Sequence, residues 1–591
     1  MFLFSKLRQV LRCFVILIFP LLIVFTLNNV SLADYHYASH EGSSEYPYTS
    51  WETAADSIQK AIDAAEPGDT VYVGAGTYYE NIDLKDTLAV IGMNWENAKI
   101  HSTGRIVDGG EGAIFNGFWI EGENNTEDKG IVLGALAGSR YMEVKDCKIT
   151  NCWDGILGWA GGIFRNNIIM NNEYGMYILD YPATPLIEYN TIIDNEFIGI
   201  AGMYISLVIR NNFIARNRVG GIDYEHPYRV DMSNNVLFDN GIASSHSTQV
   251  NFGFFGERFI YNNYFGMSDI RVTGLVLDRG NAEDSVINNI FQHCKYGIYL
   301  YKSFGNIFYN DFFDNEENIL LDNAEDSLWE NIYVNPMVTS EEDGFYLQAF
   351  SPCIDSGDPE KLDIDNSRSD IGVYGGPFGE SYDYQDLPPE PPESLWAEIL
   401  EPDTILIQWS SATETDFNYY NLYRDTLSGF EPSINTLLFV ATDSFYYDTD
   451  WENQQNYFYK ITSVDNQDNE SEPSQELEVV LTSVDDNPFD PLPKTYILNQ
   501  NYPNPFNPET RIKYILPNVG AQPAQVELVI YNIMGEEVIK LVDKRQYPGD
   551  YVVAWDGKDA HGTEVSSGIY FYSLKIWGTA LIPVRKMVRL K

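Results

Sequence analysis

Basic residues, cysteine and long apolar runs are what this chain has least of. Only 37 lysines and arginines stand against 86 aspartates and glutamates in 591 residues, a formal net charge of −49. A surface of that sign repels a phosphate backbone, so nucleic acid is not an expected partner. It suits an extracellular protein whose carboxylates meet neutral ligands or cations. Five cysteines cannot staple a chain of this length. Cys147 and Cys152 could pair, but stacked free thiols are the expected state. The only long apolar run is Phe14–Leu27, short for a membrane span. His-Glu-x-x-His, phosphate-loop and Gly-x-Ser-x-Gly motifs are all missing, which removes the zinc proteases, the loop-type nucleotidases and the nucleophile-elbow hydrolases.

The apolar run has a reading of its own. Lys6, Arg8 and Arg12 precede it and Ser31-Leu32-Ala33 follows, the layout of a secretory signal peptide over residues 1–33. Cleavage is expected between Ala33 and Asp34. Nothing later in the sequence suggests a second span, so the mature chain is expected to be free of transmembrane segments.

Asparagine is abundant, and it sits beside the most hydrophobic residues. Arg165–Ile178 reads RNNIIMNNEYGMYI, and variants of it recur down the chain. Taking the first residue of each asparagine pair or its substitute gives positions 146, 166, 190, 211, 234, 262, 288, 310 and 330, an average spacing of 23 residues. A period in this range marks a solenoid. Each unit is too short for a three-turn helix plus a strand. Its short bursts of Ile, Phe and Tyr, punctuated by Asn, Asp and Gly, read as brief strands joined by tight turns. Stacked copies lie about 4.8 Å apart, so asparagines at one corner can bond up and down the stack through their amides. A leucine-rich repeat is set aside because leucine is sparse.

This pattern resembles the right-handed parallel β-helix proteins, a family with many secreted polysaccharide lyases and hydrolases. The resemblance covers residues 34–380. Thr53–Ala65 (TAADSIQKAIDAA) puts Ile58, Ala61, Ile62 and Ala65 on one helical face. In this family such a helix plugs the open end of the core. SPCIDSGDPEKLDIDNSRSDIGVYGGP resembles the closing segment of bacterial members, and its Asp363, Asp365 and Asp370 could gather a Ca²⁺. Tyr374 stands where an EF-hand loop would have its glutamate, so the match to such a loop is incomplete.

Residues 381–394 form an acidic, proline-rich linker. Residues 395–482 alternate in short strands and look like a fibronectin type III module. After a second linker, 483–495, residues 496–591 carry Asn501-Tyr502-Pro503-Asn504-Pro505-Phe506-Asn507-Pro508, Trp555-Asp556-Gly557, Ser567-Gly568-Ile569-Tyr570 and a terminal RKMVRLK. These closely resemble the immunoglobulin-like C-terminal sorting domain of the type IX secretion system. That resemblance implies export across an outer membrane by the type IX machinery, ending in release or surface attachment. The fold class expected is therefore all-β: a right-handed parallel β-helix with an N-terminal capping helix, then two β-sandwich domains, acting as a monomer.

In a β-helix the exposed strand face is a groove for a polymer. With Ile156, Met176, Ile200, Ile222, Leu275 and Ile298 pointing inward, Leu157, Tyr177, Ala201, Asp223, Val276 and Tyr299 point out. Tyr177, Asp180, Tyr299 and Tyr301 are the candidate sugar-binding residues, rings for pyranose faces and a carboxylate for hydroxyls. Asp223 and Glu225 share a face about 6.7 Å apart along the backbone, near the window of about 6.5–9.5 Å for inverting glycosidases. Asp278 lies in Glu225's column two coils on, about 9.6 Å away. A lyase would need a base, for which Arg229, Arg279 and Lys302 are at hand, with bridging Ca²⁺ to neutralise the uronate. The Asn-Thr-Asp, Asp-Asp and Gly-His-Gly signatures of polygalacturonase-like hydrolases are missing from the repeat, as is the Trp-Ile-Asp-His of pectate lyases. No catalytic set can be carried over residue by residue. The expected function is binding of a polysaccharide, with carboxylates suited to cleaving it. The rival is a non-catalytic surface scaffold or adhesin.

Overall fold

The computed structural model describes residues 33–591 except 135–140, 160, 180–183, 244–247, 255, 269–271, 281–282, 401–403, 451–454, 481–496, 500, 502–503, 505, 507, 517–523, 534–536, 548, 577–584 and 590–591. Among the described residues no helix is long and apolar enough to cross a membrane. The chain divides into two compact units, one holding residues 1–450 and 457–479, the other 451–456 and 480–591.

The first unit is built on a right-handed parallel β-helix of three sheets, with 13, 11 and 11 strands. One coil illustrates the rest: Gly162–Arg165 in the first sheet, Ile168–Met170 in the second, Tyr174–Leu179 in the third. Each strand pairs in parallel with its copies one coil before and after. Alternation sends Phe164, Ile169, Met176 and Ile178 into a continuous core where they are fully buried.

Asparagine does two separate jobs. The first residue of the pair takes the left-handed turn, with φ between 52° and 59° at Asp146, Asn166, Tyr189, Asn211, Asn234, Asn262, Asn288, Tyr309 and Glu330. That conformation costs an L-residue least when it is Asn or Asp. The second residue is the buried ladder: Asn167, Asn190, Asn212, Asn235, Asn263, Asn289 and Asn310 are each 0–2% exposed. The alignment by sequence was therefore one residue late at 190 and 310, where tyrosine occupies the turn. In the ladder each backbone N–H and amide donates to the next carboxamide oxygen, as from Asn167 to Asn190 at 3.0 and 3.0 Å. A second ladder, Asn172, Asn195, Asn217 and Asn240, runs up the next corner. Cys147 and Cys152 head the two ladders as buried free thiols, donating their N–H to Asn167 and Asn172.

The glycine before each inward apolar residue has a steric cause. A Cβ on Gly175 would lie 2.4 Å from the carbonyl oxygen of Gly199, and one on Gly199 would meet the Asn217 amide at 2.8 Å. Where glycine stands, the coils close up at this corner and leave room for hydrogen only, while Gln249 and Asn318 hold the same place in two later coils.

The helix is shorter than the sequence suggests, Ile58–Ala64, because Ala55 is drawn into a parallel bridge with Ala38. Ser57 caps it, accepting from the Lys60 N–H, and Ile58, Ala61 and Ile62 close the core. The far flank is covered by residues 351–376, which lie across the first-position asparagines. Asn234 donates to the carbonyls of Val373 and Gly375, Asn262 to that of Asp370, and Asn288 to Ser369 Oγ.

Beneath this closing segment Asp311 is fully buried, accepting from the Val334 N–H at 3.2 Å and the Cys353 thiol at 3.5 Å. Burial pushes its carboxyl up to about 7 and that of Asp370 to about 6. A raised folded value means the neutral form is favoured by the fold. The stability it contributes is complete below about pH 4, the unfolded value, and is lost as pH rises through about 7. Amide protection of residues 330–376 is expected to fall between about pH 4 and about pH 7, and Asp311→Asn to remove most of that fall. Equal pH dependence in wild type and variant would show that Asp311 is not responsible.

A two-sheet antiparallel module completes the first unit. Leu395–Leu400, Thr404–Trp409 and Phe445–Asp448 form one sheet; Phe417–Asp425, Leu437–Ala441, Tyr457–Asp465 and Leu477–Val479 form the other. Ile405, Ile407, Trp409, Tyr420, Leu422, Tyr459 and Ile461 are buried between them.

The second unit is again two antiparallel sheets, of three and four strands. Its sequence motifs prove to be core. Phe506 packs on Trp555 at 5.3 Å between ring centroids, and Tyr570 packs on Trp555 at 5.4 Å. Asn501 donates to Thr510, Trp555 to the Lys558 carbonyl, and Met587 is fully buried. Trp555→Ala is expected to cost about 3–5 kcal/mol. Hydrogen exchange should report it as lost protection in Thr510–Leu516 and Gly568–Ile576 with the solenoid unchanged.

Candidate functional site

The third sheet carries the outward face of interest. Seven of its eleven strands carry it, in chain order β1 (Tyr174–Leu179), β2 (Ile198–Met203), β3 (Gly220–Glu225), β4 (Thr248–Phe252), β5 (Thr273–Asp278), β6 (Tyr296–Tyr301) and β7 (Glu317–Asp322). The register stacks Tyr177, Ala201, Asp223, Asn251, Val276 and Tyr299 in one column. Five steps of about 4.8 Å make this column roughly 24 Å long. Beside it Met203 stacks on Glu225, and Asp278 on Tyr301 and Asp322. Tyr174 precedes Tyr177 on β1, and Tyr296 precedes Tyr299 on β6.

Rings gather at both ends of the face. Tyr174 lies 5.4 Å from Tyr177 and 5.3 Å from Phe197. Tyr299 lies 6.3 Å from Tyr296 and 6.4 Å from Tyr301. Between them the side chains of Ala201, Gly220, Thr248 and Thr273 are small. Ala201 and Val276 point outward yet are 4% and 9% exposed. The face is thus a trough with walls rather than an open sheet.

One wall is a stack of turn residues at the end of the third sheet. Tyr204, His226, Phe254, Arg279 and Lys302 all have positive φ. Tyr204 and His226 rings are 5.1 Å apart, His226 and Phe254 4.8 Å, and the Arg279 guanidinium lies 4.1 Å from the Phe254 ring centre. Lys302 sits over Tyr301 at 4.8 Å.

Asp223 stands inside the trough, half-buried. Asn251 Nδ2 donates to its Oδ1 at 2.9 Å. Burial pushes its carboxyl above the ordinary carboxylate value, against the Asn251 bond, and the Glu225 charge adds to the rise. Glu225, two residues on, is exposed. The pair has unequal environments, one carboxyl held toward its neutral form and the other open to water. That is the division of labour acid–base chemistry needs. Burial also raises the Tyr177 and Tyr299 phenols, Asp154 adding for the first and Asp322 for the second, so both rings stay neutral. Tyr299 donates to Asp322 at 3.2 Å.

Other expected residues fall elsewhere. Asp278 Oδ1 faces Arg279 Nε at 3.7 Å and does not enter the Asp223–Asn251 contact. Asp180 lies outside the described residues. The expected lyase bases all have structural partners. Arg229 belongs to the first sheet, is held by Asp231 at 3.0 and 3.0 Å and by Glu257 at 3.2 Å, and lies over Phe259. These carboxylates raise its pKa, the opposite of what a proton-abstracting base requires. Arg279 and Lys302 are members of the turn stack.

Asp363, Asp365 and Asp370, the expected Ca²⁺ ligands, each have partners of their own. Asp363 accepts from the Gly376 and Asp370 N–H groups, Asp365 from Ser367, and Asp370 from Asp355 N–H and Tyr384 OH. Each carboxylate serves its own turn, and the three do not converge. Among the described residues the one acidic trio that does is Asp386, Asp416 and Asp465. Asp34 is tied by its N–H to Asp69 at 2.8 Å, while Ala33 is exposed.

Sequence reasoning missed Asn251, Tyr174, Tyr296 and the Tyr204 and Phe254 members of the turn stack. β4 has Gln249 where its neighbours β3 and β5 have Gly221 and Gly274, so a search on a glycine before an apolar residue skips that coil. The alternation Val250-Asn251-Phe252 was the available signal. Also missed was a cleft of about 580 Å³ between the second sheet and the closing segment, lined by Tyr189, Phe213, Glu341, Phe345, Tyr374 and Glu380 among others.

Comparison with known proteins agrees on the fold. The family model of the right-handed β-helix region matches residues 114–265, and that of the FlgD Ig-like domain matches residues 516–579. No curated protein matches. Among solved structures, the A-module of a mannuronan C-5 epimerase from Azotobacter vinelandii is 16% identical, covering 47% of this chain and 95% of its own, with a TM-score of 0.26. The catalytic unit of an α-1,3-glucanase from Streptomyces thermodiastaticus is 14% identical over 47% of this chain and 66% of its own, TM-score 0.29. An Fn3-like protein from Clostridium thermocellum is 27% identical over 15% of this chain and 90% of its own, TM-score 0.14.

Proposed function

We propose that this is an exported, surface-delivered protein whose β-helix binds a polysaccharide along the third sheet and hydrolyses it at Asp223 and Glu225. The observation that carries the reading is Asp223 itself: a half-buried carboxyl raised by its site, oriented by Asn251 and set two residues from an exposed glutamate. Tyrosines flank it along a trough about five coils long. In this reading Asp223 donates a proton to the glycosidic oxygen. Glu225 activates water from the open side, and the Tyr174–Tyr177 and Tyr296–Tyr299–Tyr301 groups stack sugar rings to either side. The signal peptide and the sorting-domain motifs of residues 496–591 support export by a type IX route, with the two-sheet module as a spacer.

A binding-only scaffold is the second reading. It is favoured by the cleft of about 580 Å³, whose aromatic floor and acidic rim of Glu341, Glu342, Asp343 and Glu380 need no catalyst to hold a glycan. The two are separated by incubating residues 34–591 with neutral and acidic polysaccharides, following reducing ends and unsaturated-uronate absorbance together. Reducing ends alone mean hydrolysis. Both signals together mean elimination and would overturn the roles of Asp223 and Glu225. Binding without turnover leaves the scaffold.

A further inference from the structure

The linker between the solenoid and the first sandwich module is anchored at both ends. Ala349 N–H donates to the Gln385 carbonyl at 2.8 Å, and Gln348 and Gln385 form a parallel bridge. Further on, Glu390 N–H donates to the Glu414 carboxylate and Ser394 N–H to Ser410 Oγ. The module also touches the solenoid's closing segment directly: Asn335 donates to Thr413 at 2.8 Å, and Thr415 to the Phe350 carbonyl at 3.2 Å.

At this joint three carboxylates meet. Asp386 follows the bridged Gln385, Asp416 follows Thr415, and Asp465 ends strand Tyr457–Asp465, paired in register with Phe417. One oxygen from each lies within 4.8 Å of the others. Asp465 is fully buried and already accepts from Gln467 N–H, Asn469 N–H and the Asn469 amide. Asp416 is only 6% exposed, and its buried Oδ1 has no hydrogen-bond donor. Among the described residues no lysine or arginine pairs with any of the three. Burial raises the Asp416 carboxyl, and the charges of Asp465, Glu414 and Asp386 raise it further. An orphaned buried carboxylate oxygen facing two more carboxylates is a costly arrangement unless something positive sits among them.

We propose that Asp386, Asp416 and Asp465 hold a Ca²⁺ that locks the linker and the module to the end of the solenoid. The donor chemistry selects the ion. All three ligands are hard oxygens with no histidine or cysteine among them, which disfavours zinc. Two are fixed by the sandwich and the third comes from a linker, an irregular set that suits the variable coordination of Ca²⁺ better than the strict octahedron of Mg²⁺. The exposed Asp386 leaves a side open to water ligands and to ion entry. The cation would cross-link the residue just after the solenoid's last pairing to the two ends of the module's central strands.

The test uses the full exported chain, residues 34–591, stripped with a chelator and titrated with CaCl₂ and, separately, MgCl₂ by calorimetry. Wild type is expected to take up Ca²⁺ here with a dissociation constant of about 10⁻⁴ to 10⁻³ M, the range of extracellular modules. Asp386→Asn, at an exposed position where folding is not at stake, should weaken that uptake about tenfold or more, and Asp416→Asn should abolish it. Proteolysis within residues 381–394 should slow on adding Ca²⁺ in wild type and be indifferent to it in both variants. Identical Ca²⁺ isotherms in wild type and Asp386→Asn, or an equal response to Mg²⁺, would overturn the proposal.

Discussion

Asp223→Asn is expected to lower polysaccharide hydrolysis by about 10²–10⁴-fold, the usual contribution of a positioned general acid, with the fold intact. The substitution keeps the shape of the side chain and its place opposite Asn251, whose amide can turn to present its oxygen instead. What it removes is the carboxyl proton that burial favours at that position. Glu225→Gln should produce a loss of the same order by leaving water unactivated. Tyr177→Ala and Tyr299→Ala lie at the ends of the trough and should raise KM while changing kcat little, because they stack on sugars remote from the cleaved bond. The pH profile adds a signature that mere misfolding would not give. Asp223 must be protonated to act, so activity should fall on the alkaline side as pH rises through its raised pKa, and any residual activity of Asp223→Asn should lack that limb. Full activity in both carboxylate variants would remove this site from consideration and shift attention to the cleft under the closing segment.

The second large effect concerns the ladder. Asn212→Ala should destabilise the surrounding coils by about 3 kcal/mol or more, since each buried polar group left unpaired costs about 1–3 kcal/mol. Asn212 donates to the Ile187 and Arg210 carbonyls and to Asn235 Oδ1, each at 2.9 Å. It accepts from the Asn190 N–H and amide at 3.0 and 3.0 Å. Truncation orphans the Asn190 N–H and the Ile187 carbonyl inside a region that water does not reach. The neighbouring Asn211→Gly is the control. Asn211 occupies the left-handed turn at φ 54°, which glycine adopts freely, so the change there should stay within about 1 kcal/mol. Because each coil contacts only its neighbours, hydrogen exchange should place the Asn212→Ala loss in the coils between residues 186 and 238. A small uniform effect, equal for both substitutions, would mean the ladder amides are not the support they look to be.

The contrast between Asn211 and Asn212 marks how much could be read in advance. Adjacent asparagines look equivalent in a sequence, and the repeat could be aligned on either. Only the three-dimensional coil shows that one turns the chain and the other fills the corner, and that tyrosine can replace the first at 189 and 309 but nothing polar and smaller replaces the second through those coils. The candidate site divides in the same way. Asp223 and Glu225 were legible because strand alternation alone puts them on the outer face. Asn251 was not, because its coil breaks the glycine rule. Nor was the commitment of Arg229, Arg279 and Lys302 to ion pairs and ring stacks, which depends on partners from neighbouring coils.

By itself the sequence determined the solenoid: its period, its short strands joined by tight turns, its inward and outward faces and its helical plug. Those features repeat, and each is set by interactions within one coil or with the identical neighbour above it. The tertiary structure alone decided what happens where the repeat stops. The docking of residues 351–376 on Asn234, Asn262 and Asn288, the cleft beneath Phe345 and the meeting of Asp386, Asp416 and Asp465 all join residues far apart in the chain. No period specifies such contacts; they arise from where non-repeating segments fold back, and from which buried polar groups they must satisfy when they do.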